Sequence, residues 1–300
     1  MASPAQWLAG ARPRTLPAAL SPVIAGTGVA VHEGAWDHPG DVWWKAVLAL
    51  VVALALQVGV NYANDYSDGV RGTDDERVGP LRLVGSGVAT PVAVKTAAFA
   101  CFAVAGLAGL ALAAVTAWWL VAVGALCILA AWFYTGGKRP YGYLGLGEVM
   151  VFVFFGLIAV NGTTYVQTQS WSWGALCASV GVGVLACALL VANNLRDIPG
   201  DTAVGKQTLA VRLGDRQTRE LYLVFQAIAL IMVVFVAATT SWWALLGVGF
   251  MQPASRAAAI VGNSKNTGAK LIPALQATGL AELSWAVLVA VPLVVRAALS

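Results

Sequence analysis

Apolar residues run along this chain in long blocks separated by short polar clusters. Nine blocks read as membrane-crossing helices, near 15–31, 43–63, 92–114, 117–135, 144–166, 174–195, 220–240, 242–262 and 281–299. A spanning helix needs roughly 20 predominantly apolar residues. The stretch Ala97–Tyr134 carries no charge over 38 residues, so it holds two spans joined by a short turn near Thr116. The pattern predicts an all-α integral membrane bundle of about nine helices, forming a single domain over residues 1–300. The first apolar block follows Arg12-Pro13-Arg14 and reads as a retained span rather than a cleaved leader.

Composition agrees with this reading. Hydrophobic residues make up 59% of the chain and charged residues 11%, against roughly 25% charged in an average soluble domain. A soluble fold of this size leaves a large wet surface, which such a sequence cannot supply with polar groups. The net charge of +4 is small, and no nucleic-acid-binding module is recognisable. Cys101, Cys127, Cys177 and Cys187 all fall inside apolar blocks without a CxxC pair, as small buried hydrophobes do.

Charge also predicts orientation. With nine spans, 16 of the 18 Lys and Arg residues fall on the side of the N-terminus, and only Lys45 and Arg296 on the other. Positive residues mark the cytoplasmic side. Nine of the twelve tryptophans (Trp36, Trp43, Trp44, Trp118, Trp119, Trp171, Trp173, Trp242 and Trp243) sit at the opposite ends, as an interfacial aromatic belt does. The expectation is a plasma-membrane protein with its N-terminus and polar chemistry in the cytoplasm and its C-terminus outside.

Two segments on that side carry unusual polar patterns. The first reads Asn61-Tyr-Ala-Asn64-Asp65-Tyr-Ser-Asp68, followed by Asp74, Asp75 and Glu76; the second reads Asn193-Asn194-Leu-Arg196-Asp197-Ile-Pro-Gly-Asp201. Both contain Asn-x-x-x-Asp at the end of an apolar block, 132 residues apart, and both precede basic residues: Arg82 in one case, Lys206 and Arg212 in the other. This weak repeat predicts two pseudo-symmetric halves around a central cavity. Residues three or four apart share a helix face, so Asn61, Asp65 and Asp68 are expected on one face. Asn193 and Asp197 form the second set, with Asp201 beyond a helix end expected at Pro199-Gly200. Clustered carboxylates without His or Cys suit Mg²⁺, which takes a few carboxylates together with phosphate oxygens and water. Nearby Arg and Lys complete a diphosphate site. Of the three later acids, Asp74 is the choice for a return to the cluster, through a turn at Gly72.

On these motifs the chain resembles the UbiA superfamily of intramembrane prenyltransferases, and within it the branch that acts on 1,4-dihydroxy-2-naphthoate. The resemblance rests on Arg12-Pro-Arg14-Thr-Leu-Pro, Asn64-Asp65-Tyr-Ser-Asp68, Tyr134-Thr-Gly-Gly-Lys138, Gly147-Glu148-Val, Asn193-Asn194-Leu-Arg196-Asp197 and Lys206-Gln-Thr208. One departure is that Gly72 stands where the superfamily's first motif usually has its third Asp. The resemblance implies that Asp65, Asp68, Asp197 and Asp201, with Asp74, hold Mg²⁺ against a polyprenyl diphosphate. Arg82, Lys138, Lys206 and Arg212 are then diphosphate partners, with Asn61, Asn64 and Asn193 nearby. The prenyl group would pass to 1,4-dihydroxy-2-naphthoate with loss of CO₂ and diphosphate, giving demethylmenaquinone within the lipid membrane.

Tyr134, Tyr141 and Tyr143 read either as aromatic contacts in the site or as interfacial anchors. Glu148 lies about one turn inside an apolar block, where a carboxylate is a functional suspect. Asn161, deeper in the same block, is expected to bond a neighbouring helix. A related enzyme with a hydroxybenzoate acceptor is the near alternative. A transporter is the distant one, opposed by the absence of charge near the middle of any span.

Overall fold

The computed structural model describes residues 2–35, 37, 43–72 and 81–299. Among them the chain is helical throughout, with α1 (Pro4–Gly10), α2 (Pro17–Ala30), α3 (Trp43–Arg71), α4 (Pro91–Val115) and α5 (Trp119–Phe133) in the first half. The second half comprises α6 (Gly147–Thr168), α7 (Trp173–Ala203), α8 (Leu209–Thr239), α9 (Trp242–Gly262) and α10 (Gly268–Ala298). Each predicted block coincides with a helical segment. Seven of these, α3, α4 and α6–α10, are long and apolar enough to cross a membrane. The segments Pro4–Thr15 and Pro17–Ala35 make an eighth if counted as one span bent by 53°. At 15 residues, α5 is shorter than a full crossing requires. The protein is an integral membrane protein.

Helices start where the sequence supplies caps. Thr90 accepts from Ala93 N with Pro91 next in line, Ser172 accepts from Ala175 N, and Thr208 accepts from Val211 N. Such side-chain oxygens satisfy donors that a helix start leaves open. Four helices run well past their apolar blocks, and all four do so at the same end of the bundle. α3 continues from 63 to Arg71 and α7 from 195 to Ala203. α8 begins at Leu209 rather than 220, and α10 at Gly268 rather than 281. Pro199 therefore does not end α7, contrary to the sequence expectation. It sits in the last turns, where the missing N–H costs one bond near a helix end.

The two motif helices play equivalent parts. α3 packs most extensively on α4, and α7 on α8, the helix that follows it in each case. α7 is the most buried span and also touches α2, α6 and α10. Small residues permit the closest approaches. A Cβ on Gly28 of α2 would strike the Ala290 backbone of α10, and one on Gly156 of α6 would meet Ser179 and Gly183 of α7. The main core gathers around Trp285, whose indole N–H donates to Ala229 O at 3.0 Å.

Candidate active site

The helical extensions bring both motifs to the mouth of one cavity of about 1120 Å³. On α3 the polar side chains lining it are Gln57, Asn61, Asn64 and Asp68, at spacings of four, three and four, which keeps a stripe on one face. On α7 they include Asn193, Asp197 and Asp201, spaced by four. The uninterrupted α7 places Asp201 on that face. Deeper, the lining turns apolar, with Val52, Leu56, Leu120, Ile128, Phe154 and Phe155.

α6 shapes this apolar part through a departure from α geometry. Lining residues recur in pairs four apart: 150 and 151, 154 and 155, 158 and 159, 162 and 163. Four residues overrun a full α turn, so a regular helix would carry the later pairs off the cavity. The π-helical stretch Phe152–Ile158 is wound more loosely and offsets that drift. Asn161 bonds within its own helix, to Leu157 O at 2.8 Å, rather than to a neighbour.

Asp68 is the hub of the polar end. It is buried, and its carboxylate accepts from the Tyr143 hydroxyl at 2.6 Å. Lys206 Nζ lies 3.6 Å from one oxygen and Arg82 Nη2 3.4 Å from the other. The Lys206 ammonium also stands 4.5 Å from the centre of the Tyr143 ring, within cation–π range. Gln207 N donates to Tyr143 O at 3.0 Å. One ion cluster thereby joins α3, the loop before α6 and the loop after α7. On α7, Arg196 forks onto Asp197 at 2.6 and 2.7 Å and also donates to Asn193 Oδ1. Asn64 accepts from Thr135 Oγ1 at 2.7 Å.

Asp65 stands apart from the stripe. It is buried, does not line the cavity, and accepts from Leu83 N at 2.7 Å and Val84 N at 3.0 Å. It thus holds the turn that presents Arg82. The sequence reading of Asn61, Asp65 and Asp68 as one face holds for the first and third. Lys138 and Arg212 are exposed and absent from the lining, Arg212 donating to Gln207 O at 3.2 Å. Glu148 is buried behind the wall and accepts from Asn194 Nδ2 at 3.0 Å; Asn194 is the one of the two that reaches the cavity. Tyr134, Tyr141 and Tyr143 all line it. Burial raises the Tyr141 hydroxyl above its ordinary pKa, and it donates to Ala130 O at 2.8 Å. Asp74 lies outside the described residues.

The structure adds cations that motif reading passed over. Arg12, Arg14 and Arg196 line the cavity. Arg12 adopts left-handed backbone angles at φ 55°, which a non-glycine residue holds only when its surroundings fix it. They do so here: Asn61 Nδ2 donates to Ala11 O at 3.0 Å and Thr15 Oγ1 at 3.1 Å, and Gln57 Nε2 to Thr15 Oγ1 at 3.0 Å. Asn61 therefore pins the break between α1 and α2. The hint in the sequence was Arg-Pro-Arg ahead of an apolar block.

A membrane-embedded helical bundle, with acids and cations from both halves facing each other over an apolar chamber, is the architecture of an enzyme that handles a charged head and an oily tail together. The chain belongs to the UbiA prenyltransferase family, whose model matches residues 19–274. A protein of Mycobacterium tuberculosis named 1,4-dihydroxy-2-naphthoate octaprenyltransferase is 57% identical over 97% of both chains. Its namesake in Escherichia coli is 42% identical over 72% of this chain and 71% of its own. Among solved structures, a UbiA homolog from Archaeoglobus fulgidus bound to DMAPP and Mg²⁺ superposes with a TM-score of 0.66 at 15% identity, covering 97% of this chain and 99% of that one. That likeness shows the fold.

Proposed function

We propose that the protein transfers a polyprenyl group from a polyprenyl diphosphate to 1,4-dihydroxy-2-naphthoate, releasing diphosphate and CO₂ and yielding demethylmenaquinol, the reduced form of demethylmenaquinone. The observation that carries this is the meeting of two acid-bearing helices with Lys206 and Arg82 at the mouth of a long apolar cavity. The near-full-length relatives that bear that activity's name support the choice of acceptor.

The donor set fits Mg²⁺. Asn64, Asp68, Asn193, Asp197 and Asp201 offer only hard oxygen ligands to the cavity. Among the described residues no three acidic, His or Cys side chains stand close enough to share an ion. This suits a metal that takes one or two carboxylates and completes its shell with phosphate oxygens and water. Asp68, Asp197 and Asp201 are the residues assigned to metal binding, with no more than two of them on any one ion. Asp65, with both oxygens on backbone amides, is assigned to holding the turn. When bound, Mg²⁺ supplies Lewis-acid stabilisation to the departing diphosphate.

The chain's own residues do the rest. Lys206 and Arg82 are placed to exchange Asp68 for phosphate oxygens and to balance the charge that builds on the leaving group. The apolar walls from α4, α5 and α6 hold the prenyl chain and keep water from the allylic cation. The C–O bond to diphosphate breaks with its electron pair going to oxygen. A ring carbon of the naphthoate then forms the new C–C bond, and the ring carboxylate leaves as CO₂. Arg14, which lines the mouth, is placed to meet an anionic acceptor. The proposed setting is the plasma membrane, with the mouth and the N-terminus cytoplasmic and the C-terminus outside, a reading supported by the distribution of Lys, Arg and Trp.

The test is to incubate purified protein with Mg²⁺, a polyprenyl diphosphate and 1,4-dihydroxy-2-naphthoate, and to weigh the product. Prenylated naphthoquinone, absent in Asp68→Asn and Asp197→Asn, is expected. Product formed only with hydroxybenzoate would move the acceptor, and no product from folded protein with any acceptor would sink the reading.

A further inference from the structure

At the end of the bundle opposite the Asp motifs lies a second cavity, of about 570 Å³, lined by His32, Thr240, Ser241, Trp242, Trp243 and Arg296. It joins three helix ends that sequence places far apart: the segment after α2, the turn between α8 and α9, and the last turn of α10. Contacts elsewhere fix these ends together. Ser172 donates to Glu33, and a Cβ on Gly174 would meet both Thr240 and Val29. The α2 and α8 sides of the cavity are thus packed on the start of α7, while Trp242, Trp243 and Arg296 leave it open to the surface.

Its chemistry is cationic and aromatic. Among the described residues, Arg296 and Lys45 are the Lys and Arg residues at this end of the bundle. A cation in the last turn complements its own helix terminus, but that leaves most of a guanidinium's five donors unused. Among the described residues Arg296 makes no ion pair and no side-chain hydrogen bond. The neighbouring acids are Glu33, engaged by Ser172, and Asp37, folded back against Gly34; neither lines the cavity. Ser241 caps Trp243 N at 3.4 Å, so the start of α9 is already served. Around this positive spot the surface is apolar and open: Trp242 is 64% exposed, Leu246 63% and Leu299 68%. Tryptophans at helix ends sit at headgroup level, the level of the lipid phosphates, and a guanidinium pairs with phosphate oxygens through two parallel N–H bonds.

We propose that this cavity is a binding site for the phosphate of a membrane phospholipid. Arg296 and His32 contact the phosphodiester, Trp242 and Trp243 flank the glycerol region, and the acyl chains lie along the exposed apolar residues beside them. The site is independent of the prenyl-transfer cavity and serves to fix the far ends of α2, α9 and α10 against one another.

The full-length protein, delipidated in detergent, is titrated with phosphatidylglycerol, with diacylglycerol of the same chains, and with inorganic phosphate. Melting temperature and lipid adducts by native mass spectrometry are the readouts. Phosphatidylglycerol should bind and raise the melting temperature. Arg296→Gln should weaken that binding by about fivefold, the worth of one basic residue at a charged membrane surface. Arg296→Glu should abolish it, and Lys45→Gln, at the same end but outside the cavity, should leave it unchanged. Equal binding by wild type and both Arg296 variants would overturn the proposal. So would diacylglycerol matching phosphatidylglycerol, or phosphate alone reproducing the full effect.

Discussion

The Tyr143 hydroxyl donates to Asp68 Oδ1 at 2.6 Å while Lys206, over the face of the same ring, lies 3.6 Å from the same oxygen. A phenol and an ammonium thereby hold one carboxylate from two directions. Hydrogen bonds to charged groups are worth about 1.5–3 kcal/mol. Tyr143→Phe should lower kcat/KM for the prenyl diphosphate by about tenfold or more, with little change in melting temperature. Steady-state kinetics beside a thermal melt checks this.

Asp65 and Asp68, three residues apart, should fail in different ways. Asp65→Asn replaces one acceptor of two buried N–H groups by an amide nitrogen that cannot accept, a cost of about 1–3 kcal/mol. It should lower the melting temperature and, through the displaced Arg82 turn, weaken activity. Asp68→Asn should remove activity and leave the melt almost unchanged. Equal melting of the two variants would contradict the assignment of Asp65 to the turn.

Arg219, on α8, clamps the turn between α9 and α10. It donates to Asn263 O at 3.0 Å, Asn266 O at 2.8 Å and Val261 O, and forks onto Asp215 at 2.7 and 2.8 Å. Arg219→Ala leaves three carbonyls without their donor, so a loss of about 2 kcal/mol or more is expected. Lys cannot reproduce the fork. Arg219→Lys should recover only part of the loss in a denaturation series, with KM unaffected.

Metal and diphosphate should protect the protein together. If Asp68, Asp197 and Asp201 each offer too few oxygens alone, Mg²⁺ by itself should barely move the melting temperature. Mg²⁺ with inorganic diphosphate should raise it, a chelator should reverse the effect, and Asp197→Asn with Asp201→Asn should remove it. Full protection by Mg²⁺ alone would show a site built by protein oxygens only.

Much of this was legible in the chain. Apolar blocks placed every helix from α2 onward, because lipid imposes a simple rule on any segment that crosses it. The paired Asn-x-x-x-Asp motifs located the mouth of the cavity. The reading stopped short where helices continue into polar sequence: apolarity marks the part of α7 in lipid, while Asp201 sits on the part beyond. It also stopped short at side-chain direction. Asp65 and Asn64 are neighbours in sequence, and only the fold shows which one turns to the cavity. The π stretch of α6 leaves no mark in composition, and Lys138, close in sequence to Tyr134, is carried outward by the loop.

The unbroken course of α7 makes reading frame a part of the chemistry. Its three site residues share an axis with the most enclosed helix of the bundle, gripped along its length by α2, α6, α8 and α10. A single residue inserted between Gly183 and Asn193 would leave the gripped part in place and rotate everything after it by about 100°. Asn193, Asp197 and Asp201 would leave the cavity as a group, though none of them had been altered. Substitutions along this helix can be conservative; its count of residues cannot change.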